Sequence, residues 1–107
     1  MAFIAHDASL ALLRAVEPLL GVLGRRNPPL ADQLCRAATS VHLNLAEGNR
    51  RAGKDRGQMF RHALGSAAEV QACLEVAEAL KYLRAPDFAD ALAKADRAQR
   101  LLRGLTR

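Results

Sequence analysis

The chain has 107 residues, half of them apolar and 4% aromatic, so it is one domain able to bury a core of Leu, Ala and Val without staples. Ala and Leu are strong helix formers, β-branched residues are few and no segment alternates apolar with polar, which points to an all-α fold and away from a sheet. A formal charge of +5 and a pI near 10.0 admit an anionic partner without requiring one.

Residues 1–5 read as a lead-in, and the first helix as about residues 6–24. His6, Asp7 or Ser9 can cap it, and Asp7 is favoured because a carboxylate suits both the free N–H groups and the helix dipole. Leu12, Leu13, Val16, Leu19, Leu20 and Leu23 share one broad face, with Arg14, Glu17 and Pro18 pointing away from it. Pro18 removes one hydrogen bond and frees the Arg14 carbonyl, which water can satisfy on the solvent side. The expectation is therefore one kinked helix; the alternative is a break in which Pro18 restarts the helix at its first position. Arg25 to Pro29 form the first connection, and Pro29 suits the first turn of the next helix.

The second helix is expected over about 30–48, with Leu30, Leu34, Ala37, Val41 and Leu45 on its buried stripe. Arg36, Ser40, Asn44 and Glu47 fall on an adjoining line and read as a polar ladder, with Glu69 of the third helix as the partner for Arg36. Asn44 and Glu47 are expected to bond the backbone of the following turn, so that Glu47→Ala would loosen it. Gly48 reads as the glycine that closes the helix at positive φ. The turn that follows is basic. Arg50, Arg51, Lys54, Arg56 and Arg61 stand against Asp55 alone, and they are the candidate phosphate contacts.

The third helix is expected over about 55–83. Met59, Ala63, Ala67, Val70, Leu74 and Ala77 lie on one face, and Cys73, Val76, Leu80 and Leu83 on another. Two apolar faces argue for burial on two sides, so Cys73, Val76 and Leu80 join Leu43, which sits off the stripe of the second helix, as a candidate subunit interface. Core packing alone is the plainer reading of the same residues. Small residues from Ala63 to Ala68 would let a neighbouring helix approach closely. The fourth helix, about 86–103, turns Phe88, Ala91, Leu92, Ala95, Ala98, Leu102 and Leu105 inward. Its Lys94, Arg97, Arg100 and Arg103 spiral around the exposed side. Four helices and three short connections indicate an antiparallel up-down-up-down bundle in one domain.

From Gln33 to about Leu80 the chain carries Arg36-Ala37-Ala38, Ser40, Asn44, Ala46-Glu47-Gly48, the basic turn, then Phe60, Gly65-Ser66, Glu69 and Leu74. In this arrangement it resembles the bacterial four-helix-bundle family encoded in intervening sequences of 23S ribosomal RNA genes. Cys35 replaces one of the family's paired basic residues, and Leu45 its usual Ile. The resemblance implies a homo-oligomeric bundle, a ring of five, with no known enzymatic activity. A related accessory protein of diversity-generating retroelements binds nucleic acid.

The residues themselves offer little catalytic chemistry. A di-metal bundle needs Glu-x-x-His pairs on facing helices, and the chain has none. His6, His42 and His62 stand on separate segments, no phosphate-cradling Gly-Lys-Ser/Thr loop is present, and Ser40 and Ser66 lack a local His and carboxylate. No metal, cofactor or small-molecule substrate is expected. Cys35 and Cys73 lack metal spacing and read as reduced thiols of a cytoplasmic protein, although a bridge between them is geometrically possible. No apolar run is long enough to span a membrane, and the N-terminus lacks a basic signal region. Two functions remain: an oligomer that binds RNA or DNA through its basic turn, or a structural or protein-interaction module that binds no nucleic acid.

Overall fold

A computed structural model describes residues 2–107. Four helices follow one another: α1 Ala2–Arg26, α2 Pro28–Asn49, α3 Gly53–Ala79 and α4 Ala85–Leu105. Each packs on its neighbours in sequence, α4 closes back on α1, and the diagonal pairs barely touch. This is an antiparallel up-down-up-down bundle, 43 × 22 × 19 Å. One helix length sets its long dimension, since 27 residues of α3 span about 40 Å at ~1.5 Å per residue.

The core is assembled from the stripes the periodicity marks. Leu12, Val16, Leu19 and Leu23 of α1 meet Leu34, Val41 and Leu45 of α2, Ala63, Val70 and Leu74 of α3, and Phe88, Ala95 and Leu102 of α4. Among the described polar residues only Ser9 and Gln99 are fully buried, and both are bonded. Gln99 Nε2 donates to Gln71 Oε1 at 2.8 Å across the α3–α4 seam.

Several boundaries differ from the expectation. Helix α1 begins at Ala2, so Asp7 is an exposed residue inside it and cannot be its cap. Ala5 and Ala8 are buried and carry the Leu12 stripe toward the N-terminus, so packing holds this stretch helical. Pro18 lies on the exposed side of the same continuous helix. The α1–α2 connection is Asn27 alone, whose Oδ1 accepts the Leu30 N–H at 3.1 Å, and Pro28 and Pro29 both fit the first turn. Helix α3 stops at Ala79 rather than near Leu83, because Lys81 takes a left-handed conformation at φ 65°. The Tyr82 N–H bonds the Ala77 carbonyl at 2.8 Å and the Lys81 N–H bonds that of Glu78 at 2.9 Å, a Schellman closure that folds Leu83 back into the core. Helix α4 then starts at Ala85, with the Arg84 N–H held by Asp87 Oδ2 at 2.9 Å.

The two-faced reading of α3 is corrected at Cys73. This thiol is only 3% exposed and packs within the chain's own core, so it is not available to a second subunit. Burial, first, and Glu69, second, raise its pKa. Both cysteines are free, Cys35 on the surface and Cys73 inside. Val76 and Leu80 do remain exposed, as does Leu43. Among the described residues no helix is long and apolar enough to cross a membrane.

Candidate nucleic-acid interface

The turn between α2 and α3 contains only Arg50, Arg51 and Ala52. Gly53, at φ 64°, starts α3 immediately, two residues earlier than the expected Asp55. Left-handed backbone costs glycine no Cβ clash, which is why so short a reversal is possible. Lys54, Arg56 and Arg61 therefore project from a helix and not from a loop.

Gly48 has a different task from the one expected. It is buried inside α2, which continues to Asn49, and it does not take a positive φ. A Cβ at this position would stand 2.6 Å from Cε1 and 2.8 Å from Cδ1 of Phe60. The glycine is needed for close approach of an aromatic ring. Phe60 is itself buried, and its ring carries the Arg56 guanidinium carbon 5.0 Å from its centroid. At Gly57 a Cβ would stand 3.3 Å from Arg61 Nη1, so that guanidinium lies back along its own helix. Phe60, seated against Gly48, thus sets the position of Arg56.

The five basic residues do not act as one group. Glu47 lies 3.0 Å from Arg51 Nε and 3.9 Å from Arg50 Nη1, and it offsets the charge of that pair. Lys54, Arg56 and Arg61 have no carboxylate within ion-pair distance among the described residues. They line an open cleft of about 480 Å³ together with Arg107, and Gly53, Gly57, Phe60, Leu105 and Thr106 complete its wall. Arg107 lies outside the set expected from the sequence, because nothing in local spacing links it to Lys54. The antiparallel topology alone brings the end of α4 beside the start of α3.

The polar ladder divides in the same way. Asn44 Nδ2 donates to the Ser40 carbonyl at 2.9 Å and to Ser40 Oγ at 2.8 Å, and Ser66 Oγ of α3 donates to Ser40 Oγ at 2.8 Å. This network pins α2 to α3. Arg36 does not reach Glu69: it pairs with Asp32 at 3.0 Å, one turn away on its own helix, while Glu69 accepts from Gln33 at 3.2 Å. The Arg36 side chain is exposed, and a local partner costs less ordering than one across the seam. Neither the Asn44 nor the Glu47 side chain bonds the backbone of the turn. Leu43 stands exposed beside a shallow depression walled by Cys35, Thr39 and Asn44.

One further cluster joins α1 to α2. Ser9 Oγ donates to the His6 carbonyl at 2.7 Å and lies 2.8 Å from His42 Nδ1. The His6 and His42 rings meet edge to face with centroids 4.8 Å apart. Burial, first, and His6, second, lower the His42 pKa. With the Ser9 proton on the His6 carbonyl, the Nδ1–H tautomer of His42 would donate to the hydroxyl. Among the described residues no three His, Cys, Asp or Glu are grouped to hold a metal.

The sequence pattern of the 23S rRNA-intervening sequence protein family matches residues 23–104. The chain belongs to this family. The family span takes in α2, α3 and nearly all of α4, and it excludes most of α1 and Arg107. No curated protein matches the chain. Among solved structures it is similar to a protein of unknown function of the S23 ribosomal protein family from Bacteroides thetaiotaomicron. That likeness has a TM-score of 0.88 at 20% identity and covers 96% of this chain and 98% of the other. At this identity the likeness establishes the fold that the family members share.

Proposed function

We propose that the protein is a non-catalytic, homo-oligomeric bundle that binds RNA through the basic end formed by the α2–α3 turn and the start of α3. The observation that carries the reading is the cleft holding Lys54, Arg56 and Arg61, cations with no internal carboxylate partner among the described residues. Phosphate is the counter-charge such a group recognises. Phe60 is buried and no other aromatic residue lines the cleft, so binding follows charge and shape, with little reading of bases.

Exposed Leu43, Val76 and Leu80 support self-association, since a second copy would remove them from water. A ring of five, the arrangement implied by the family resemblance, would repeat the basic end several times and raise avidity without new contacts. Light scattering at micromolar concentration tests the assembly; a monomer rejects it. A band shift with structured RNA tests the binding. Retardation that weakens steeply from low to high salt supports it. No shift at low salt, from protein free of co-purified nucleic acid, leaves the alternative, a structural or protein-interaction module whose contacts are the exposed leucines.

A further inference from the structure

The basic end is two electrostatic environments, and only one of them has unmatched charge. We infer that the cleft between the first two turns of α3 and the end of α4 is the phosphate-binding subsite, formed by Lys54, Arg56, Arg61 and Arg107, and that Arg50 and Arg51 stand outside it. The inference rests on the nucleic-acid reading above and narrows it to one cavity. It also adds a residue from the opposite end of the sequence, outside the span matched by the family.

Four observations converge on the cavity. Its volume of about 480 Å³ falls within the ~300–1,000 Å³ range of ligand sites. Four residues with cationic side chains line it and no Asp or Glu does; Asp55, in the first turn of α3, is not part of the wall. One of the cations is positioned by the fold, Arg56 on the Phe60 ring, so less freedom is lost when an anion is bound. The start of α3 adds to this, because Ala52 gives no side-chain cap and leaves first-turn N–H groups for an anion.

The end of α4 is the feature that opposes an anion, through the negative end of its dipole. Two of its last carbonyls are engaged. The Thr106 N–H bonds those of Leu102 at 3.1 Å and Arg103 at 3.2 Å, and Thr106 Oγ1 bonds that of Arg103 again at 3.1 Å. Arg107 follows directly and adds a guanidinium beside that end. On the far side of the turn, Glu47 already occupies Arg51 and approaches Arg50, and an incoming phosphate must compete with it.

The test uses the full chain and two probes: inorganic tripolyphosphate by calorimetry, and a short single-stranded RNA by fluorescence anisotropy across a salt series. Wild type is compared with Arg61→Ala, Arg107→Ala, Arg56→Lys and the pair Arg50→Ala with Arg51→Ala. Circular dichroism confirms folding, which the exposed Arg61 and Arg107 variants should preserve. The expected result is loss of tripolyphosphate binding on the order of tenfold in Arg61→Ala and Arg107→Ala. The slope of log affinity against log salt for RNA should fall by about 0.7 for each. The Arg50 and Arg51 pair should retain tripolyphosphate binding. Tripolyphosphate bound in the cleft with no RNA bound upholds the subsite and rejects the nucleic-acid reading. RNA bound with losses that follow Arg50 and Arg51, and with Arg61→Ala and Arg107→Ala unchanged, overturns the subsite and keeps the reading. Failure of both probes overturns both.

Discussion

At the scale of single residues, Gly48 and His42 carry the sharpest consequences. Alanine normally stabilises a helix relative to glycine by about 1 kcal/mol. At Gly48 the sign should reverse, because the new methyl would meet the ring of buried Phe60. Overpacking of this kind costs about 1–3 kcal/mol, so Gly48→Ala should lower the urea midpoint with little change in slope. Gly65 is the control, exposed in mid-α3, where a methyl would meet nothing within 4 Å. Gly65→Ala should gain about 1 kcal/mol in an isolated chain, and a loss there would reveal a neighbouring subunit. His42 adds a pH dependence. Its pKa is lowered in the fold, so the unfolded chain binds the proton more readily. Stability should therefore be complete above the ordinary histidine pKa of about 6.5 and decline as pH falls below it, until the lowered folded pKa is passed. Urea midpoints measured across this window should show that acid-side slope in wild type and a shallower one in His42→Gln.

At the scale of elements, the ends of α2 and α3 show how local chemistry and packing share control. Lys81 closes α3 at φ 65°, a conformation that costs a residue with a Cβ about 1–2 kcal/mol and glycine almost nothing. Lys81→Gly should raise the thermal midpoint, by about 1 kcal/mol of stability after the entropy of glycine in the unfolded chain is deducted; an unchanged or lower midpoint would contradict the Schellman account. Glu47 closes the other end differently from expectation. Its carboxylate reaches guanidinium groups and not the turn backbone, and both partners are partly exposed. Glu47→Ala should change stability by only about 0.3–0.5 kcal/mol, the worth of exposed pairs at this spacing. If RNA binds at the basic end, the same substitution should tighten it, since Arg50 and Arg51 lose their competitor; weaker binding by anisotropy would reject that role.

At the scale of the whole molecule, the bundle separates its two chemistries. Apolar stripes face inward, Leu43, Val76 and Leu80 remain outside on and just after α2 and α3, and Lys54, Arg56, Arg61 and Arg107 line one cleft at one end. The stripes were legible because each is written in one helix at a spacing of three and four residues. Leu12, Val16 and Leu23, or Ala91, Ala95 and Leu102, announce their burial without knowledge of any partner. The inward turn of Cys73 was not legible, because its place on a helical wheel lies at the margin between two faces and the neighbouring helices decide which side closes over it. The Arg36 partner escaped for a similar reason: Asp32 and Glu69 both fit by spacing, and only the packed seam shows which is within reach.

By itself the sequence determined the helices, their inward faces, the antiparallel order and the basic character of the second connection. These depend on contacts between residues a turn or two apart and on the short connections between helices, which periodicity and chain spacing record directly. The tertiary structure alone decided that Gly48 makes room for Phe60, that Glu47 offsets two of the arginines, and that Arg107 joins Lys54, Arg56 and Arg61 around one cleft. Those contacts come from the approach of different helices or of distant chain segments, and their distances are set by how side chains fill the space between backbones.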